Sequence, residues 1–69
     1  MIPLDDFAML LKKLRTESNL TLEDLSAKTG ITTISLKEYE MGKRRPNDEK
    51  VVKMAEALGV DPKILFYEI

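Results

Sequence analysis

A repeated pattern of helix starts most constrains what this chain can fold into. Residues that can cap the N-terminus of a helix occur five times, each preceded by an apolar residue and followed four positions later by another. A side-chain oxygen at such a position accepts a hydrogen bond from a first-turn N–H group, and the flanking apolar pair fixes the direction of the incoming chain. The pattern therefore predicts five helices, capped by Asp5, Thr21, Thr32, Asn47 and Asp61.

Residues that end helices occur at matching places. Asn19 follows the first predicted helix, and the next three are followed by Gly30, Gly42 and Gly59. Glycine and asparagine tolerate the left-handed conformation that often ends a helix, and Pro62 suits the first position of the last helix. The caps and stops predict an all-α chain, with helices at about 6–18, 22–29, 33–41, 48–58 and 62–67. No alternating apolar run of useful length indicates a β-strand.

Apolar residues in two of these helices follow the spacing of a single buried face. The first helix carries such a face at Phe7, Leu10, Leu11 and Leu14, and the fourth carries one at Val51, Met54, Ala55 and Leu58. We expect the second and third helices to add Leu25, Leu36 and Tyr39 to the same core.

The composition removes several classes of function. The chain has 69 residues and contains neither cysteine nor histidine, so disulfides, ordinary zinc sites and imidazole catalysis are excluded. Chains of roughly 70 residues seldom enclose a pocket of several hundred Å³, so we expect one domain over residues 1–69, with no catalytic residue, metal, cofactor or small-molecule ligand. The N-terminus resembles no signal peptide and no apolar run is long enough for a membrane span, so the expected location is the cytoplasm.

Basic residues are concentrated in the middle of the chain. The net charge of −1 argues against a nucleic-acid partner, because nucleic-acid-binding domains usually carry a basic surplus. However, residues 37–45 contain four basic and two acidic residues, whereas residues 46–69 contain three basic and five acidic ones. The uneven distribution indicates a locally basic surface, formed by Lys37, Lys43, Arg44 and Arg45.

The segment from residue 21 to residue 42 indicates function most directly. Two short helices joined by residues 29–31 predict a helix-turn-helix, in which Gly30 makes the turn and Ile31 fills the angle between the helices. This arrangement holds the second helix of the pair, which is the third helix of the chain, outward from the body of the domain. This recognition helix can enter the major groove of DNA with its N-terminal end towards the base edges.

Sequence motifs extend this interpretation to nearly the whole chain. They are L-x-x-L-R at 11–15, T-x-E-D-L-S at 21–26, G-I-T at 30–32, Y-E-x-G-K-R-R-P at 39–46 and A-x-A-L-G-V at 55–60. With these motifs, residues 7–66 resemble the Cro/repressor-type helix-turn-helix domains of the Xre family. The resemblance implies a five-helix, lambda-repressor-like bundle that binds double-stranded DNA as a transcriptional regulator.

The resemblance also assigns roles to individual residues. It implies an ion pair between Arg15 and Glu40 that fixes the recognition helix to the body of the domain. Base edges would be contacted from the start and middle of the recognition helix, and phosphates from the following loop and from the starts of the second and third helices. The implied DNA-contacting residues are Thr21, Thr32, Thr33, Ile34, Ser35, Lys37, Glu38, Lys43, Arg44 and Arg45.

Two hypotheses about function follow. The first is a sequence-specific regulator, a repressor that binds as a homodimer through its last helix and the tail at 66–69. The second is a protein-interaction module that kept the scaffold and lost DNA binding. Leu22 and Met41 stand where many family members have polar residues, and with Ile34 they form a possible apolar strip near the DNA-facing surface. For each proposed DNA contact, the simpler alternative is that the residue lies on a solvated helix face or basic turn and does not contact DNA.

Overall fold

A computed structural model describes residues 2–66, and this part of the chain contains five α-helices and no strand. The helices are α1 (Leu4–Glu17), α2 (Leu22–Thr29), α3 (Thr33–Glu40), α4 (Asp48–Leu58) and α5 (Lys63–Phe66). The all-α prediction is confirmed, and the predicted helix ends lie within two residues of the observed ones where they can be compared. None of the described helices has both the length and the apolar character that crossing a bilayer requires.

Four of the five predicted caps are confirmed by hydrogen bonds from backbone N–H groups to side-chain oxygens. The donor–acceptor distance is 3.0 Å from Asp24 to Thr21, 3.2 Å from Ser35 to Thr32, 2.9 Å from Lys50 to Asn47 and 2.9 Å from Lys63 to Asp61. These caps satisfy N–H groups that have no partner within the helix. Local sequence thus determines where α2 to α5 begin.

The predicted cap at Asp5 is wrong. Helix α1 begins earlier, after Pro3, and has no side-chain cap, so Asp5 lies in its first turn. The Phe7 N–H donates to the Pro3 carbonyl at 2.9 Å, and Ile2 is buried in the core. Because Ile2 packs into the core, Pro3 lies next to the bundle and the helix starts directly after it. Met9, the apolar residue four positions after Asp5, is 72% exposed.

All five helices contribute to one core. Its fully buried side chains are Phe7, Leu11, Leu25, Leu36, Tyr39, Met54 and Leu65. Helix α3 packs against both α1 and α2, α2 also packs against α4, and α5 packs against α1 and α4. Two inward-facing residues anchor α3, Leu36 and Tyr39, and burial of a leucine side chain contributes about 1.5–3 kcal/mol. The inner face of α3 is therefore fixed, and its opposite face points outward.

The start of α2 contains a reciprocal pair of hydrogen bonds that changes the pKa of one carboxyl group, that of Asp24. The Thr21 N–H donates to the Asp24 carboxylate at 3.0 Å, and the Asp24 N–H donates to the Thr21 hydroxyl oxygen at 3.0 Å. Hydrogen bonding of the Asp24 carboxylate with the backbone of Thr21, and secondarily with its side chain, holds the pKa of Asp24 below its ordinary value. Because the folded-state pKa is lowered, Asp24 stabilises the fold above about pH 3.9, its unfolded value.

We expect Asp24→Asn to remove this part of the pH dependence. The neutral amide resembles the protonated acid, so the variant should be less stable than the wild type near pH 6. The difference should shrink as the pH falls below about 3.9 and through the folded-state pKa. Urea unfolding between pH 2.5 and pH 7 measures it, with Glu17→Gln as a control for loss of an exposed carboxylate. A difference that does not change with pH would show that the Asp24 charge is irrelevant to the cap.

Candidate nucleic-acid interface

The turn between α2 and α3 is closed by a threonine as well as by glycine. Gly30 has a φ of 75°, a left-handed conformation that an L-residue seldom adopts. The Thr29 hydroxyl donates to the Leu25 carbonyl at 2.8 Å and accepts from the Ile31 N–H at 3.1 Å. Ile31 is buried beside it, as the sequence predicts. Sequence reasoning missed the role of Thr29, although a threonine at the end of a helix often bonds back to the preceding turn.

The ion pair implied by the family resemblance is present in the structure. Arg15 Nε donates to Glu40 Oε2 at 2.6 Å, and a second guanidinium nitrogen donates to Oε1 at 3.0 Å. The remaining arm of the fork donates to the Leu20 carbonyl at 2.8 Å. The side chains are only 13% and 7% exposed, and the hydrogen bond to Glu40 raises the pKa of Arg15. This bidentate pair joins the end of α3 to α1 and to the α1–α2 connection.

The outward face of α3 carries a mixture of polar and apolar side chains. Ile34 is 74% exposed and Met41, just after the helix, is 53% exposed. Lys37 is also exposed, while Thr33 and Glu38 are half-buried. Leu22 is half-buried and packs partly against the core. Within the apolar strip predicted from the sequence, Ile34 and Met41 are therefore the well-exposed members.

Two residues of the predicted contact set serve the N-terminal cap of α3. The Thr32 hydroxyl oxygen accepts from the Ser35 N–H at 3.2 Å, and it donates to the Ser35 hydroxyl oxygen at 3.0 Å. Thr32 is exposed, whereas Ser35 is half-buried. Both hydroxyls thus have partners within the protein, and Thr21 is likewise engaged at the start of α2.

The loop after α3 lies close to α1. Gly42 has a φ of 72°, and a Cβ atom placed there would lie 3.1 Å from Asp5 Oδ1 and 3.8 Å from the Ala8 methyl group. The Lys43 N–H donates to the Glu38 carbonyl at 3.0 Å, which folds the chain back over the end of α3. The Lys43 side chain is exposed, and it forms no ion pair with the carboxylates in residues 2–66.

Arg44 projects from this loop towards α3, where it has three contacts. One guanidinium nitrogen lies 3.3 Å from Glu38 Oε1, and another donates to the Tyr39 hydroxyl oxygen at 3.3 Å. The guanidinium carbon lies 5.4 Å from the centroid of the Tyr39 ring, within range of a cation–π interaction. The side chain is nevertheless 51% exposed, so a ligand can reach it.

Arg45 turns inward instead. It donates to the Ile2 carbonyl at 2.7 Å, and its guanidinium carbon lies 5.7 Å from the centroid of the Phe7 ring. Its side chain is half-buried and connects the loop to Ile2 and to the start of α1. Sequence reasoning placed Arg45 with Lys43 and Arg44 as a phosphate contact and missed this structural role. The structure brings Lys43 and Arg44 together with α3, and it directs the Arg45 guanidinium to the N-terminal segment.

Comparison with known proteins agrees with the fold. Residues 11–65 match the helix-turn-helix family model HTH_3, and the chain belongs to the Cro/C1-type helix-turn-helix family. The family and the fold are those of a DNA-binding domain of transcriptional regulators.

Individual relatives are found among both sequences and structures. The chain is 36% identical over 52 residues to HTH-type transcriptional regulators, described as uncharacterized, from Mycobacterium bovis and Mycobacterium tuberculosis. The match covers 75% of this chain and 20% of each relative, so the chain spans about a fifth of the length of those relatives. The crystal structure of the restriction-modification controller protein C.AhdI from Aeromonas hydrophila superposes with a TM-score of 0.87 and 32% identity, covering 91% of this chain and 96% of that one.

Proposed function

We propose that this protein is a sequence-specific transcriptional repressor that binds operator DNA as a homodimer, in the cytoplasm, through α3. The observation that supports this proposal is that the inner side of α3 packs against the body of the domain, whereas its outer side is exposed to solvent. Leu36, Tyr39 and the Arg15–Glu40 pair hold it to the body, while Ile34 is 74% exposed. A helix held this way fits the major groove, which admits one α-helix.

The side chains on the outward face of α3 suit a limited set of base contacts. The Thr33 hydroxyl can donate or accept one hydrogen bond, and Ile34 can contact the methyl group of thymine. Glu38 can accept a hydrogen bond from the amino group of cytosine, and Lys37 lies beside it on the same helix. The face offers no arginine, asparagine or glutamine for the bidentate contacts that distinguish guanine and adenine most strongly. We therefore expect modest discrimination at each base pair.

Phosphate contacts are assigned to the exposed cations beside α3. Lys43 and Arg44 are exposed to solvent in the loop after α3, as contacts that fix the position of a protein on DNA would be. Thr21, Thr32, Ser35 and Arg45 complete the proposed set, and each is already hydrogen-bonded within the protein. We rank Lys43 and Arg44 above these four as contributors to affinity because both are exposed cations, whereas Arg45 is half-buried and the other three are uncharged.

Dimer formation is assigned to α5 and the tail that follows it. Ile64 and Phe66 are only half-buried against the core, which leaves part of each apolar side chain at the surface. The rest of the predicted contact, residues 67–69, lies outside the described residues. A two-fold dimer predicts two DNA half-sites whose centres lie about 10–10.5 base pairs apart. A dimer bound to such a site within a promoter would repress transcription by excluding RNA polymerase. The similarity to a controller protein of comparable length supports a regulatory role.

The test is selection of bound duplexes from a random pool at low salt, followed by a salt titration on the selected sequence. About six phosphate contacts predict a slope near −5 for the logarithm of the affinity against the logarithm of salt concentration. Enrichment of a two-fold symmetric sequence and a slope of this size are the expected results. Absence of any duplex binding at 50 mM salt would contradict the proposal.

A second candidate function rests on the apolar side chains of the same face. Ile34 and Met41 are seven residues apart, about two helical turns or 10.5 Å along the axis, and both are exposed. Exposed apolar residues on one helix face also suit contact with another protein. If this candidate is correct, duplex affinity will be negligible and insensitive to loss of Lys43 and Arg44. Ile34→Ala would then abolish the protein's association with its partner.

A further inference from the structure

We propose that Glu38 is an internal counter-anion for Arg44, and that a DNA phosphate replaces Glu38 when the protein binds a duplex. The ligand class is the phosphodiester group of double-stranded DNA. The inference rests on the proposed function and deepens it, because it assigns to one carboxylate the control of one phosphate contact. The observation that carries it is the position of the Arg44 guanidinium, which lies between a buried aromatic ring and the half-buried carboxylate of Glu38.

The ring fixes the guanidinium in place. Tyr39 is 1% exposed and belongs to the core, so its ring and hydroxyl oxygen form a rigid support. Arg44 both lies over the ring and donates to the hydroxyl oxygen. These contacts remain when Glu38 is withdrawn, so the guanidinium stays where a phosphate can reach it.

The carboxylate is the exchangeable partner. The distance of 3.3 Å between Arg44 and Glu38 joins side chains that are 51% and 36% exposed, and such exposed ion pairs are weak. A phosphate accepts the same forked donors that a carboxylate accepts. The exchange therefore replaces one anion by another of similar chemistry, and the cost of releasing Glu38 is small.

The exchange has a thermodynamic signature. A lysine or arginine that has no anionic partner in the free protein releases counterions from the DNA when it binds a phosphate. Each such contact makes the slope of the logarithm of affinity against the logarithm of salt concentration steeper by about 0.9. Arg44 already has a carboxylate partner in the free protein, Glu38. When the phosphate takes the place of Glu38, the carboxylate is left unpaired and attracts a cation from solution. The net release from this contact is close to zero, whereas Lys43, which has no ion-pair partner in residues 2–66, contributes fully.

The experiment is a salt titration of binding to a random-sequence 20-base-pair duplex, with wild type, Glu38→Gln, Arg44→Ala and the double variant. A random duplex separates this effect from base recognition by Glu38. Glu38→Gln is expected to bind about two- to fivefold more tightly at low salt and to steepen the slope by about 0.9 per protomer. In the Arg44→Ala background the same substitution should leave the slope unchanged. Circular dichroism on each variant verifies that the fold is intact.

The matched control is Glu49→Gln. Glu49 is paired with Lys53 on α4 at 3.4 Å, and these side chains are also well exposed, so the control removes the same charge from another exposed ion pair. Equal slopes for wild type and Glu38→Gln would overturn the inference. So would equal steepening by Glu49→Gln, which would mean that net charge alone is responsible. Failure of the wild type to bind any duplex would instead overturn the proposed function itself.

Discussion

Replacing Arg15 by leucine is expected to lower the free energy of unfolding by about 3–5 kcal/mol, because the variant leaves a buried carboxylate without its counter-ion. The Glu40 side chain is 7% exposed and accepts two hydrogen bonds from the guanidinium. Stability of about 0.05–0.15 kcal/mol per residue is typical, so the expected loss is comparable with the whole stability of a 69-residue chain. Denaturant unfolding followed by circular dichroism measures it.

Two further variants separate the charge from the geometry of this ion pair. Arg15→Lys keeps the positive charge but cannot supply the fork that contacts Glu40 and Leu20 together, so we expect a smaller loss than with leucine. The double variant Arg15→Leu, Glu40→Leu removes both charges and should recover most of the stability. A double variant as unstable as Arg15→Leu alone would show that packing around Arg15, rather than the unpaired carboxylate, causes the loss.

Most helix boundaries could be predicted because they depend on neighbouring residues. Thr21, Thr32, Asn47 and Asp61 each bond to an N–H group two or three residues away, which a sequence pattern captures. The start of α1 could not be predicted this way, because it depends on burial of Ile2. That burial is a tertiary effect, and a local pattern centred on Asp5 does not contain it.

The arrangement of the candidate site was predictable only in part. The family resemblance supplied the Arg15–Glu40 pair, whose members are 25 residues apart, and no local pattern would have joined them. Three successive basic residues in the loop looked equivalent in the sequence, but the structure gives each a different environment. Arg45 bonds to the Ile2 carbonyl, 43 residues away in the chain, whereas Arg44 meets Glu38 and Tyr39 nearby. Such differences depend on which elements meet the loop, and the sequence pattern does not contain that information.

Removing both exposed loop cations is expected to weaken binding to the selected operator by at least about a hundredfold. Each charge-assisted hydrogen bond to phosphate contributes about 1.5–3 kcal/mol, and Lys43→Ala, Arg44→Ala removes one from each residue. Neither side chain contributes to the buried core, so the fold should persist, and unfolding measurements verify this. Fluorescence anisotropy with a labelled duplex measures the affinity, and random duplexes should show a comparable loss because phosphates carry no sequence information.

The control variant for this experiment is Lys13→Ala, Lys63→Ala, which removes two exposed cations from α1 and α5. Neither lysine belongs to the proposed contact set or to an ion pair within residues 2–66, so the control should retain most of the affinity. The loop variant should also show a salt slope shallower by about 0.9 per protomer, the contribution of Lys43 alone. Arg44 adds nothing to the slope if Glu38 is its exchange partner. Equal losses in the two variants would mean that the loop is not the phosphate contact, because overall charge alone would then account for binding.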